Sequence, residues 1–295
     1  MTTKLILANP LAPGDILMST SAIRDLHKMY PGEYLTDIRV PTGCEQIFDN
    51  SPYITPIADG DKEARYIKLD YSEIHRSGWS GRPFAYAHTI DLATNLGRPI
   101  KHTSLKPDLF LSQNDILWPS PVTVKHGYDG KYWIINAGIK NDYTLKWYPY
   151  HQQVVDLLKD KIQFVQVGQM EHNHPALNGV IDMRGQTNLR ELFRLSYHAE
   201  GAISAVSLQM VIMMALEKPA VIVAGGREGV RWQLFPCHRY LYTNGCCPSA
   251  KYDGCWKSKL SECPYLKNGV PRCMDMIKPQ MIVDALMMYY EGGVL

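Results

Sequence analysis

The stretch LILANPLAPGDILMSTSAIRDLHKMYPG, residues 5–32, decides the fold class. Residues 4–8 form a short apolar run, followed by the turn-forming Asn9-Pro10-Leu11-Ala12-Pro13-Gly14-Asp15. Apolar side chains then recur at Ile16, Ile23, Leu26 and Tyr30, and Pro31-Gly32 stops the segment as a helix end requires. The unit reads as strand, loop, helix, the first piece of a parallel α/β sheet.

Working outward, short strands are predicted over residues 35–40, 53–57 and 66–69, with a helix over 83–96 closed by Gly97. Residues 106–130 lose periodicity and carry Pro107, Pro119, Pro121, Gly127 and Gly130, the composition of a connection. A second alternating series follows. It predicts strands over 133–137, 162–167, 201–205 and 220–224, with helices over 151–161, 188–199 and 207–216. Asn188, with Glu191 three residues on, has the spacing of a capping box. Two such series predict two Rossmann-like domains facing across a cleft. The expected division is 1–125, 126–240, a cysteine-rich finger over 241–277 and a C-terminal helix over 278–295.

Composition narrows the class. The chain has 295 residues, 45% hydrophobic and 20% charged, which excludes a disordered or fibrous protein. A net charge of +2 gives no bulk demand for nucleic acid or an anionic membrane. No apolar run reaches about 18 residues, and the N-terminal residues do not read as an export signal, so a soluble cytoplasmic protein is expected.

Pro13-Gly14-Asp15 sits where a parallel strand hands over to a helix, the sheet edge at which such folds bind ligands. Spacing alone leaves two readings of Asp15. It is either a carboxylate stabilised by the helix dipole, or a general base in the cleft.

Residues 12–26, with the closing Tyr30-Pro31, resemble the opening of glycosyltransferase family nine, the ADP-heptose:lipopolysaccharide heptosyltransferases and their relatives. Three later segments resemble the family in order: residues 134–138 with Thr144-Leu145-Lys146-Trp147, residues 164–171, and residues 184–192. The resemblance implies an α/β GT-B fold and an inverting transfer of a heptose-like sugar or hexose, with no catalytic metal. The donor, a nucleotide-diphosphate sugar, then sits in the second domain and the acceptor mainly in the first. Asp15 becomes the base and Lys146 a cation facing the leaving diphosphate. Glu171 accepts from the donor ribose. Gly14 shapes the first loop, Gly225, Gly226 and Arg227 offer amides and a guanidinium to phosphate, and Ser207 either caps its helix or reaches a phosphate.

One segment departs from the pattern. The family carries Asp, Ser or Thr, Gly and later His where this chain has Val206, Ser207, Leu208 and Val211. An apolar side chain replaces neither a carboxylate nor an imidazole. That departure keeps a second reading open, a catalytically silent binder of sugar-nucleotides or glycans. A third keeps the transferase chemistry with modified DNA bases as acceptor, so glycan, protein and modified nucleic acid all stand as acceptor classes.

Cys246, Cys247, Cys255, Cys263 and Cys273 crowd the last quarter of a chain expected among reduced thiols. The surrounding Pro and Gly leave that segment short of a core, and a metal staple is expected on Cys247, Cys255, Cys263 and Cys273. Soft sulfur favours zinc or iron, in a closed structural site. The segment resembles the iron-binding cysteine finger of autotransporter heptosyltransferases. His172 and His174, flanking Asn173, are expected on an exposed loop.

Overall fold

The structure is a computed structural model that describes residues 2–69, 81–138, 140–233, 235–243 and 254–291. Two parallel sheets face each other. The first is built from β1 (Thr3–Ala8), β2 (Tyr34–Arg39) and β3 (Ala64–Lys68) in the order β2-β1-β3. Helix α1 (Pro13–Met29) joins β1 to β2, and α2 (Phe84–Leu96) packs beside it. Proline at the first turn of α1 suits a position whose amide has no helical partner. Gly97 adopts φ +73° and ends α2, as predicted.

Residues 53–57 correct a prediction. Only Ile54 bridges Thr36, and no strand forms. Pro52 and Pro56 flank the segment and supply no amide to a ladder. The connection is also more ordered than its composition predicts. It holds α3 (Gln113–Leu117), with a capping box on Ser112, and α4 (Pro121–His126), capped by Ser120.

The second sheet has six parallel strands: β4 (Trp133–Asn136), β5 (Phe164–Gln166), β6 (Ile181–Asp182), β7 (Gly201–Ser204), β8 (Ala220–Gly225) and β9 (His238–Tyr242). Their order is β6-β5-β4-β7-β8-β9. This is the doubly wound Rossmann order, and its direction reverses between β4 and β7. Helix α5 (His151–Leu158) covers one face, while α6 (Leu189–His198) and α7 (Leu208–Ala215) cover the other. The Asn188 capping box forms as its spacing requires. A short helix α8 (Val230–Gln233) follows β8. A small hairpin, β10 (Leu266–Lys267) with β11 (Val270–Pro271), leads through α9 (Arg272–Asp275) to α10 (Pro279–Met287), which packs on α5. Strands β6 and β9 are too short for their periodicity to stand out in sequence.

Two hydrophobic clusters hold these layers. One lies under α5 and α10. The other runs without a break from β1, α1 and α2 into α6 and α7, so the two sheets share a core where α1 meets α7. No helix among the described residues is long and apolar enough to cross a membrane.

Candidate functional site

The site lies where both sheets present strand ends to one cleft. On the first sheet, β1 ends in a loop held by Asn9, whose fully buried side chain donates to Ser19 Oγ at 3.1 Å and accepts from the Leu11 amide at 3.2 Å. Sequence reading missed this brace, because Asn before Pro looks like ordinary turn chemistry. The loop delivers half-buried Asp15 into the first turn of α1. A Cβ on Gly14 would stand 3.4 Å from the Leu208 amide nitrogen and Cα. The starts of α1 and α7 therefore meet almost backbone to backbone.

On the second sheet, Lys146 ends a single helical turn (Thr144–Lys146). Its Nζ donates to the Val206 carbonyl at 2.8 Å and pairs with Glu228 Oε1 at 2.9 Å. Burial first, then the charge of Arg227, push its pKa well below the ordinary lysine value, while Asp15 and Asp142 act to raise it. That opposition places the Asp15 carboxylate within electrostatic reach of Lys146 across the cleft. Val206 thus explains part of the departure from the family pattern: its carbonyl, instead of a carboxylate, takes the lysine. Val206 and Val211 both lie in the apolar core and offer no side-chain polarity to a ligand.

Ser207 occupies the cap position of α7 without capping it, which corrects the capping alternative. Its hydroxyl pairs with Ser204 Oγ at 2.8 Å, and the α7 start carries no side-chain cap. Gly225 and Gly226 are buried and pack inward. Added Cβ atoms would stand 2.8 Å from Met274 Sδ and 3.1 Å from Cys273 Cβ, so close packing explains both glycines. The Arg227 guanidinium contacts Glu228, donates to the Lys257 carbonyl at 2.6 Å and lies 5.0 Å from the Tyr143 ring centroid. Burial lowers its pKa.

Glu228 was not anticipated. It is only 2% exposed, and Oε1 takes both Lys146 and Arg227, while Oε2 has no hydrogen-bond partner among the described residues. One carboxylate thus fixes both cations of the site. Glu171 lies apart from that cluster, exposed on the helical turn Met170–His172 after β5.

The cysteine-rich segment reaches this site directly. The Cys255 and Trp256 amides donate to the Gly226 and Arg227 carbonyls at 3.1 and 3.2 Å. The Leu145 amide donates to the Ser258 carbonyl at 3.0 Å, and the Leu260 amide to Thr144 Oγ1 at 3.0 Å. A Cβ on Gly254 would stand 2.3 Å from the Arg227 carbonyl oxygen, so only glycine fits. Residues 254–260 therefore clamp the Lys146 turn to the Arg227 loop. Of the expected metal ligands, Cys255, Cys263 and Cys273 are free of disulfides, and Cys247 lies outside the described residues. Among the described residues no group of three or more His, Cys, Asp or Glu is arranged to hold a metal, so no step is derived through one.

His174 corrects the expectation of loop exposure: it is half-buried against strand-end glycines, and burial lowers its pKa to about 4.

Sequence comparison finds no matching family and no matching curated protein. Structural comparison does. E. coli ADP-heptose lps heptosyltransferase II superposes with TM-score 0.67 at 14% identity, over 98% of this chain and 100% of that one. The glycosyl transferase family 9 protein from Veillonella parvula DSM 2008 gives 0.67 at 13%, over 97% and 96%. The iron-containing dodecameric glycosyltransferase TibC from enterotoxigenic E. coli H10407 gives 0.71 at 15%, over 99% of this chain and 77% of that one. The fold is thus that of the GT-B, heptosyltransferase-like glycosyltransferases.

Proposed function

We propose that the chain is an inverting glycosyltransferase using a nucleotide-diphosphate sugar. The observation that carries this reading is the meeting of Asp15, at the end of β1, with Lys146, beside the β4/β7 reversal. A base and a buried cation on opposite walls are what a displacement at an anomeric carbon needs. Asp15 accepts the proton as the acceptor hydroxyl oxygen forms its bond to that carbon. The bond from the carbon to the diphosphate oxygen breaks on the other side. The departing charge meets Lys146 and Arg227, in a site where fixed cations act more strongly than in water. The neighbours' names, among them one naming ADP-heptose, support a sugar-nucleotide donor. Glu171, next to the ends of β5 and β6, suits the ribose, and the uncapped α7 start with Ser207 suits phosphate.

The test pairs binding with turnover. A panel of ADP-, GDP-, UDP- and CDP-sugars is screened for a rise in melting temperature, because a true donor stabilises the folded state by mass action. The donor found is then used to compare wild type with Asp15→Asn. The reading stands if donor stabilisation survives while transfer collapses, and fails if the variant turns over like wild type.

The burial of Val206 and Val211, with Lys146 already paired to Glu228, favours a second reading, a silent binder of the same ligand. Any transfer or hydrolysis of a sugar-nucleotide by purified protein excludes it. A structural zinc or iron on Cys247, Cys255, Cys263 and Cys273 is part of the same proposal, with elemental analysis as its measurement. About one metal per chain is expected, and a folded, metal-free protein removes it.

A further inference from the structure

Beside the cleft, β4 and β5 end in glycines that leave a trough. A Cβ at Gly138 would stand 2.1 Å from the His174 imidazole, and one at Gly168 would stand 2.2 Å from it. No residue but glycine allows the ring to lie there, so its seat is written into the backbone. The ring opens onto a groove of about 470 Å³ whose walls include Trp147, Tyr148, His151 and Pro175. That volume falls within the range of small-molecule sites. One end of the groove, Trp147, follows Lys146 directly in sequence, and the other lies three residues from Glu171.

The loop that carries the ring is fixed from three sides. Arg184 Nη1 donates to the His174 carbonyl at 2.7 Å. Asn173 Nδ2 donates to Asn141 Oδ1 at 2.5 Å. Fully buried Gln166 donates to the Pro175 carbonyl at 2.6 Å and accepts from the Leu177 amide at 3.0 Å. A ring held this firmly is preorganised, as a recognition group should be.

Two imidazole nitrogens in the groove wall have no hydrogen-bond partner: His174 Nδ1 and His151 Nε2. His151 is only 5% exposed, and its Nδ1 lies 2.8 Å from the Tyr148 carbonyl, which can only accept. The His151 proton is therefore on Nδ1, and Nε2 is an unused acceptor. Burial holds both rings neutral, each with a pKa lowered to about 4. Neutral acceptors on apolar walls suit an uncharged flat ring that carries amino hydrogens.

We propose that the trough over Gly138 and Gly168, with the adjoining groove, is the nucleobase subsite of the donor, and that His174 reads an amino-bearing base there. This inference rests on the sugar-nucleotide reading above. It adds a specificity-determining residue that lies outside the catalytic cluster of Asp15, Lys146 and Glu228.

The test titrates the full-length protein with ADP, GDP, CDP and UDP by calorimetry, for wild type, His174→Ala and His174→Phe, after melting curves show both variants folded. Wild type is expected to bind one of the amino-bearing nucleotides about ten-fold more tightly than UDP, the order of one hydrogen bond left unmade. His174→Ala is expected to lose about ten-fold in that affinity together with the discrimination. His174→Phe should retain the packing and lose the discrimination. If His174→Ala binds as tightly as wild type or more tightly, the ring merely fills an empty trough and the inference falls while the donor reading stands. Unchanged discrimination in both variants overturns it too. If wild type binds none of the four, the donor reading fails, and this inference fails with it.

Discussion

The two strand-to-helix turns that meet across the cleft share a plan and differ in equipment. Both follow a central parallel strand, and both begin a helix whose cap position makes no side-chain bond. The turn at Gly14-Asp15 carries a carboxylate at the mouth of the cleft. The turn at Val206-Ser207 presents an apolar side chain to the core and only a main-chain carbonyl to Lys146. The difference teaches that a cation can be held in a ligand cleft by chain geometry and a remote carboxylate, here Glu228, without an acidic residue on the turn itself.

Removing the acid of the first turn should give the largest effect. Asp15→Ala is expected to lower turnover by about 10²- to 10⁴-fold, the range of a single general base, with donor stabilisation unchanged in thermal shift. The remote carboxylate comes next. Glu228→Gln leaves Lys146 and Arg227 without their shared counter-charge, and removing one partner of a buried pair destabilises by about 3–5 kcal/mol. Urea unfolding checks this, and a loss below about 1 kcal/mol, the worth of an exposed ion pair, would mean the cations do not depend on Glu228.

Acid separates the two sides further. Burial lowers the pKa of His238 to about 3 and that of His151 to about 4, both in the second lobe. The unfolded chain binds these protons near pH 6.5 and the folded chain does not. Stability is therefore fully present above pH 6.5 and declines as pH falls toward 4, by up to about 1.4 kcal/mol per pH unit for each histidine. Both ring nitrogens of His238 lack hydrogen-bond partners, so His238→Phe should flatten part of that decline in melting temperature. An unchanged acid profile would refute its contribution.

The smallest effect compares caps. Asn188 forms a complete capping box, and Asn188→Ala should cost about 1 kcal/mol. Ser207→Ala removes a hydroxyl that caps nothing, so it should cost less in stability while weakening donor binding. Equal losses in unfolding experiments would remove the distinction between the two helix starts.

Much of this architecture is legible in the chain. The run from Leu5 to Gly32 announces its strand, loop and helix, Gly97 its helix end, and Asn188 with Glu191 its cap, because each follows from local chemistry. Residues 53–57 mislead, since apolar alternation suggested a strand while the flanking prolines could not complete a ladder. Asp15 and Lys146 are visible through family resemblance. Glu228 is not: a Glu after Arg in a Gly-rich turn looks solvated, and it is buried only because the distant segment 254–260 folds over its loop. His174 escapes for the same reason, since nothing local says that two strand-end glycines will receive its ring.

The clamp made by residues 254–260 has an engineering consequence. Because one stretch of main chain sets the positions of both cations, neither can be retuned in isolation. A graft meant to import another donor preference would have to carry this strap along with the loops it fastens, or the transplanted charges would arrive without their frame.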